Sequence, residues 1–80
     1  MHGVWEMYIY RYFDTNGRLL YVGVTSDPEK RDQQHRATQP WAADIASTTY
    51  ECAFGRPAAL RLEKAAIKSE HPLHNKMGAK

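Results

Sequence analysis

Near its N-terminal end the chain carries two short runs in which side chains alternate in character. A period of two predicts β-strands. The first run covers Trp5 to Phe13 and the second Leu19 to Val24, with the turn signal "DTNG" between them. Asn and Gly accept the positive φ that tight hairpins need. A four-residue loop would set Phe13 opposite Arg18, whereas a two-residue Asn16-Gly17 turn would set Thr15 opposite Arg18. In both registers paired numbers sum to an odd value, so even positions of the first strand share a face with odd positions of the second. "TSDPEKRDQQHRA" then predicts a helix from Pro28 to about Ala37, capped by Ser26 or Asp27, with Pro28 in its first turn. "QPWAADIAS" predicts a second short helix, and "TTYECAF" a third strand over Thr48–Phe54. Gly55 breaks that strand, and Arg56-Pro57 opens the longest helix, "PAALRLEKAAIKSE".

The hairpin parity separates two unlike faces. Tyr8, Tyr10, Tyr12, Leu19, Tyr21 and Gly23 lie together, while Met7, Ile9, Phe13, Leu20, Val22 and Val24 form a greasy face with Arg11 as its only charge. The tyrosine face by itself reads as an aromatic cross-strand ladder. The first helix is almost devoid of apolar residues; Arg31 and His35, four apart, share one of its faces, and as isolated residues would be a solvated pair. In the second, Trp41 and Ile45 supply a core side. The last helix has an apolar arc of Ala59, Leu60, Leu62, Ala66 and Ile67, with Arg61, Lys64 and Lys68 opposite. Glu63 falls inside that arc. A buried carboxylate must be protonated, paired or metal-bound, and Arg31 or Arg11 is the ordinary partner to expect. His71, His74 and Cys52 match no standard zinc spacing.

Composition changes this picture little. Eighty residues make one small domain, with a core over about residues 5–76 and a basic "KMGAK" tail. The balance of 11 Lys and Arg against 9 Asp and Glu gives a formal net charge of +2, which permits a polyanionic partner without demanding one. The single cysteine, Cys52, rules out an internal disulfide and reads as a small core residue. No apolar run approaches the ~20 residues of a membrane span and no signal-peptide pattern opens the chain. A cytoplasmic protein without a membrane partner is the expectation.

Taken in order, the singled-out residues resemble the GIY-YIG nuclease family. "YIY" at Tyr8-Ile9-Tyr10 stands for the first motif, with tyrosine at the glycine, and "YVG" at Tyr21-Val22-Gly23 for the second. Arg31 follows eight residues after Gly23, His35 one turn later, Glu63 on a helix after the third strand, and Asn75 twelve residues on. The resemblance covers Tyr8 to Asn75. It implies an α/β (α+β) fold, a three-stranded antiparallel sheet flanked by helices, with an active site on one sheet face.

What the resemblance implies chemically is metal-dependent hydrolysis of phosphodiester bonds in DNA, with Tyr10 as general base, Tyr21 positioning water or a phosphate oxygen, and His35 sharing or relaying the proton. Arg31 would clamp the scissile phosphate. Glu63 would hold one Mg²⁺ or Mn²⁺, and Asn75 would orient a phosphate or support the Glu63 region. Lys30, Arg36, Lys64 and Lys68 are candidate backbone contacts. The expected substrate is double-stranded or branched DNA, cut with low intrinsic sequence specificity. A homodimer or an appended specificity partner stays open. So do a non-catalytic nucleic-acid or protein-binding module on the same fold, and a catalytic domain cut from a larger nuclease.

Overall fold

The computed structural model describes residues 6–75; Trp5 and the basic tail lie outside that range. Strand β1 (Glu6–Phe13) is central, with β2 (Leu19–Thr25) on one side and β3 (Ser47–Phe54) on the other, both antiparallel to it. Helix α1 (Pro28–Thr38) and a 3₁₀ turn (Pro40–Asp44) cover one sheet face, and helix α2 (Arg56–Glu70) covers the other. The fold is an α+β three-stranded antiparallel sheet flanked by helices, as the resemblance implies.

The hairpin takes neither of the two expected turns. The Asp14 N–H donates to the Arg18 carbonyl at 3.0 Å, so three residues, Thr15 to Gly17, form the loop. Gly17 adopts φ +80°, and the Asp14 carboxylate accepts from the N–H groups of Asn16 and Arg18, each at 2.9 Å. Phe13 faces Leu19, yet Tyr12 faces Tyr21, so Leu20 is an extra residue in β2. This bulge restores the odd-sum register for Tyr8 to Tyr12. It also exchanges two leucines: Leu20 is buried with Tyr10 and Tyr12, and Leu19 packs with Met7 and Ile9.

Under α2 the core consists of Met7, Ile9, Val22, Ala53, Ala59 and Ala66, joined by Leu19, Val24 and Ile67. Complete burial of Ile9 and Val22 contributes about 1.5–3 kcal/mol each. The small Ala59 and Ala66 let the helix close on the sheet. The buried stripe is thus centred on Ala59, Glu63 and Ala66, while Leu60 and Leu62, about 100° to either side, are both exposed, contrary to the wider arc expected. Arg11 on this face is clamped to Glu70 through two 2.9 Å hydrogen bonds and reaches Glu51 at 3.2 Å. Glu63 and Glu70 share a helix face but stand seven residues, roughly 10 Å, apart, and Arg11 sits at the far position. The α2 C-terminus closes on His71 at φ +52°, before buried Pro72.

Cys52 is exposed rather than buried. It pairs with Tyr8 on the tyrosine side of the edge strand β3.

Candidate active site

Helix α1 begins where Asp27 accepts from the Lys30 N–H at 3.2 Å, with Pro28 at its first position. Polar contacts hold it to the sheet. His35 is its only buried residue, and the Tyr10 hydroxyl lies 2.7 Å from His35 Nε2. Three residues earlier Asp32 accepts from the Tyr12 hydroxyl at 3.1 Å and is itself held by Arg36 at 2.9 Å. His35 is therefore no member of a solvated pair, and the helix needs no leucine stripe.

Tyr10 is 2% exposed, and its ring lies directly over Gly23, its partner across the strands. Any Cβ at residue 23 would run into the phenol, so the glycine of "YVG" makes room for the tyrosine of "YIY". Tyr21 stands beside Tyr10, with ring centroids 6.1 Å apart and nearly parallel planes.

Electrostatics tie the remaining residues to this pair. Burial pushes the Tyr10 phenol far above its ordinary value, with Tyr21 adding to the rise and the Arg31 charge opposing it. Tyr21 is raised by burial and then by Glu63, again opposed by Arg31. Burial, aided by Arg31, lowers His35 and so favours the neutral imidazole, whose Nε2 shares a hydrogen bond with the Tyr10 hydroxyl. Glu63 is half-buried; desolvation raises its carboxyl, and Arg31 acts against that rise without forming an ion pair. Among the described residues Glu63 makes no salt bridge with any cation, Arg11 included. Arg31 thus lies within electrostatic reach of Tyr10, Tyr21, His35 and Glu63, and Glu63 within reach of both tyrosines.

Arg31 is exposed, and its guanidinium makes only a 3.4 Å contact with Gln34. With Lys30, Thr25, Ser26 and Arg56 it lines a recess of about 440 Å³. Arg56 belongs to no motif, and only the tertiary fold brings it beside Arg31. Asn75 is engaged at both ends of its amide: Oδ1 accepts from the Val22 N–H at 2.8 Å and Nδ2 donates to the Val22 carbonyl at 2.9 Å. With Leu73 and His74 bonded to the carbonyls of Leu19 and Leu20, it seals the outer edge of β2. Lys64 and Lys68 lie exposed on α2, and Arg36 is partly committed to Asp32.

A family model described as the GIY-YIG catalytic domain matches residues 6–77. The chain belongs to the GIY-YIG family. No curated protein and no solved structure matches it. Membership in the GIY-YIG family makes this a domain of nuclease type, for which nucleic acid is the substrate class. No helix among the described residues is long and apolar enough to cross a membrane.

The described residues hold no group of three or more His, Cys, Asp and Glu side chains able to enclose a metal ion. A closed site of zinc type does not fit the described residues, whereas one half-buried carboxylate without a cationic partner fits a hard divalent ion that keeps most of its waters.

Proposed function

We propose that this GIY-YIG domain is a divalent-metal-dependent endonuclease that cleaves DNA with low intrinsic sequence specificity. The observation that carries the proposal is the Tyr10–His35 hydrogen bond at 2.7 Å, buried beneath Tyr21 and within the electrostatic reach of Arg31 and Glu63. A packing ladder needs neither a neutral imidazole on a buried phenol nor an unpaired carboxylate beside it.

In this reading Tyr10 is the general base, but burial keeps it from storing a phenolate. Its proton passes to the neutral His35 Nε2 as its oxygen takes one from the attacking water, so the phenol never carries a full charge. Tyr21, the less buried of the two tyrosines, positions that water or a phosphate oxygen. Arg31, whose planar fork is largely unspent, clamps the scissile phosphate. Asn75 is a positioning residue: through Val22 it fixes the strand segment between Tyr21 and Gly23. Glu63 would hold Mg²⁺ or Mn²⁺, which supplies charge neutralisation at the phosphate and the leaving 3′ oxygen. Lys30 contributes to backbone binding beside Arg31, with Arg36, Lys64 and Lys68 further out.

The test is supercoiled plasmid incubated with the purified protein and Mg²⁺ or Mn²⁺, with and without EDTA. Nicked and linear products that vanish in EDTA are expected. Intact plasmid under all conditions, from a folded protein that still binds DNA, would favour a non-catalytic module.

A further inference from the structure

Beside Tyr21 the chain forms a second recess of about 730 Å³, lined by Tyr21, Gln39, Pro40, Trp41 and His74. None of these side chains carries a permanent charge. Three are rings in register: Tyr21 and Trp41 have centroids 5.2 Å apart and planes 24° apart, and Trp41 and His74 have centroids 5.1 Å apart and planes 7° apart. The backbone of Gln39 is spent, its N–H on the His35 carbonyl at 2.8 Å and its carbonyl on the Ala42 N–H at 3.1 Å. Its side-chain amide has no partner among the described residues. His74 is held in place by its own N–H, which donates to the Leu20 carbonyl at 2.8 Å.

We infer that this recess receives one unstacked nucleobase next to the scissile phosphate, so that the preferred substrate carries an unpaired nucleotide at the cut. The inference rests on the nuclease reading and adds its substrate class. A recess walled by aromatic rings, without a permanent charge and offered one amide, suits a flat heterocycle: it can extend the ring stack at an open face while Gln39 meets its edge. It does not suit a phosphate or a charged peptide, which the Lys30, Arg31 and Arg56 recess is built to meet. Tyr21 belongs to the aromatic recess and Arg31 to the basic one, and the two side chains interact electrostatically. Tyr21 also stands 6.1 Å from Tyr10 by ring centroid, so a base seated against Tyr21 lies beside the candidate catalytic pair. A base inside a duplex must leave the stack to enter such a recess, and an unpaired one does so at least cost.

Three labelled duplexes test this, identical except at one position: fully paired, with one extra unpaired adenine, and with one extra abasic residue. Binding is read by fluorescence anisotropy of the unaltered protein in EDTA, and cutting with Mg²⁺. The adenine bulge should bind at least ~10-fold tighter than the paired duplex, with the abasic bulge losing most of that gain, as expected when base–aromatic stacking is removed. Trp41→Ala should abolish the preference and Gln39→Ala should reduce it. Should Trp41→Ala fail to fold, the adenine-to-abasic comparison still decides, because it leaves the protein intact. Equal binding of adenine and abasic bulges would overturn the inference, showing that flexibility alone is recognised. Cutting of all three duplexes at one rate with equal affinities would overturn it while leaving the nuclease reading standing. A base-dependent affinity without any cutting would uphold the recess and remove the nuclease reading.

Discussion

The hydroxyl of Tyr10 and Nε2 of His35 stand 2.7 Å apart although 25 residues separate them in sequence. This one bond ties α1 to the sheet and gives a buried phenol somewhere to send its proton. It therefore belongs to the packing and the chemistry of the domain alike, and its two partners can be separated experimentally.

Tyr10→Phe keeps the ring over Gly23 and removes only the oxygen. Cleavage should fall by ~10²-fold or more, as for a lost general base, while the fold survives a loss of about 1–3 kcal/mol because His35 Nε2 is left without its buried partner. Tyr12→Phe removes the bond to Asp32 instead. It should cost about 1.5–3 kcal/mol of stability, as for a hydrogen bond to a charged group, with a far smaller effect on rate. Plasmid-cleavage rates and thermal melts of both variants make the comparison. Equal, small losses of rate would reduce the tyrosines to a packing ladder.

Glu63→Gln should abolish divalent-dependent cleavage and leave the fold intact or more stable. The sign follows from the raised carboxyl. Desolvation lifts the folded-state pKa above 4.5, so at neutral pH the ionised group opposes folding and its neutral isostere does not. Urea melts at pH 7 together with the cleavage assay would check both halves. An unfolded variant would make Glu63 a structural ion-pair partner.

Acid should weaken the domain through His35. Its folded pKa lies below the ordinary 6.5, so below that pH the unfolded chain takes up a proton that the folded chain refuses. Stability then declines as pH falls from about 6.5 toward the folded value and levels off beneath it. Glu63 acts with the opposite sign, gaining stability as pH drops through its raised range, so the slope is best read in the Glu63→Gln background. Replacing His35 by Gln there should flatten it. A slope that persists would place the titrating group elsewhere.

Gly23→Ala should cost about 1–3 kcal/mol, the usual penalty for forcing a methyl into a packed site, and should reduce cleavage because Tyr10 must move. Unchanged stability and rate would mean that the phenol turns aside freely.

On fully paired DNA, affinity should fall steeply with salt. If Lys30, Arg31 and Arg56 each neutralise one phosphate, log K against log salt has a slope of about −2.7. The products on a long paired duplex should be spread over many sites, since phosphate contacts do not read bases.

The sequence pattern marks all three strands and both long helices to within a residue or two, because alternation, the Asp27-Pro28 start and the Gly55 break each act locally. Glu63 stands out for a similar reason, as a charge inside an apolar arc. The bulge at Leu20 escapes detection because Leu19 and Leu20 are the same residue type, and either could serve either face. The burial of His35 and the tie from Tyr12 to Asp32 leave no mark on a helix that looks polar all round. Arg56, Gln39 and His74 join their recesses only through tertiary packing. The Asn75 clamp is also hidden, since a side chain replacing a missing strand has no period to reveal it.

That clamp sets the order in which the domain can be completed. Asn75 holds Val22 across 53 residues, and the segment that carries Asn75 is the last to leave the ribosome among the described residues. The hairpin, with its short loop, can form early, and α2 can settle on the sheet once Ala59 and Ala66 are present. The strand that carries Tyr21 and Gly23 is not fastened along its outer edge until residues 73–75 arrive. During synthesis a nascent chain of this design leaves Tyr21 on a strand with one open side until almost everything else has been made.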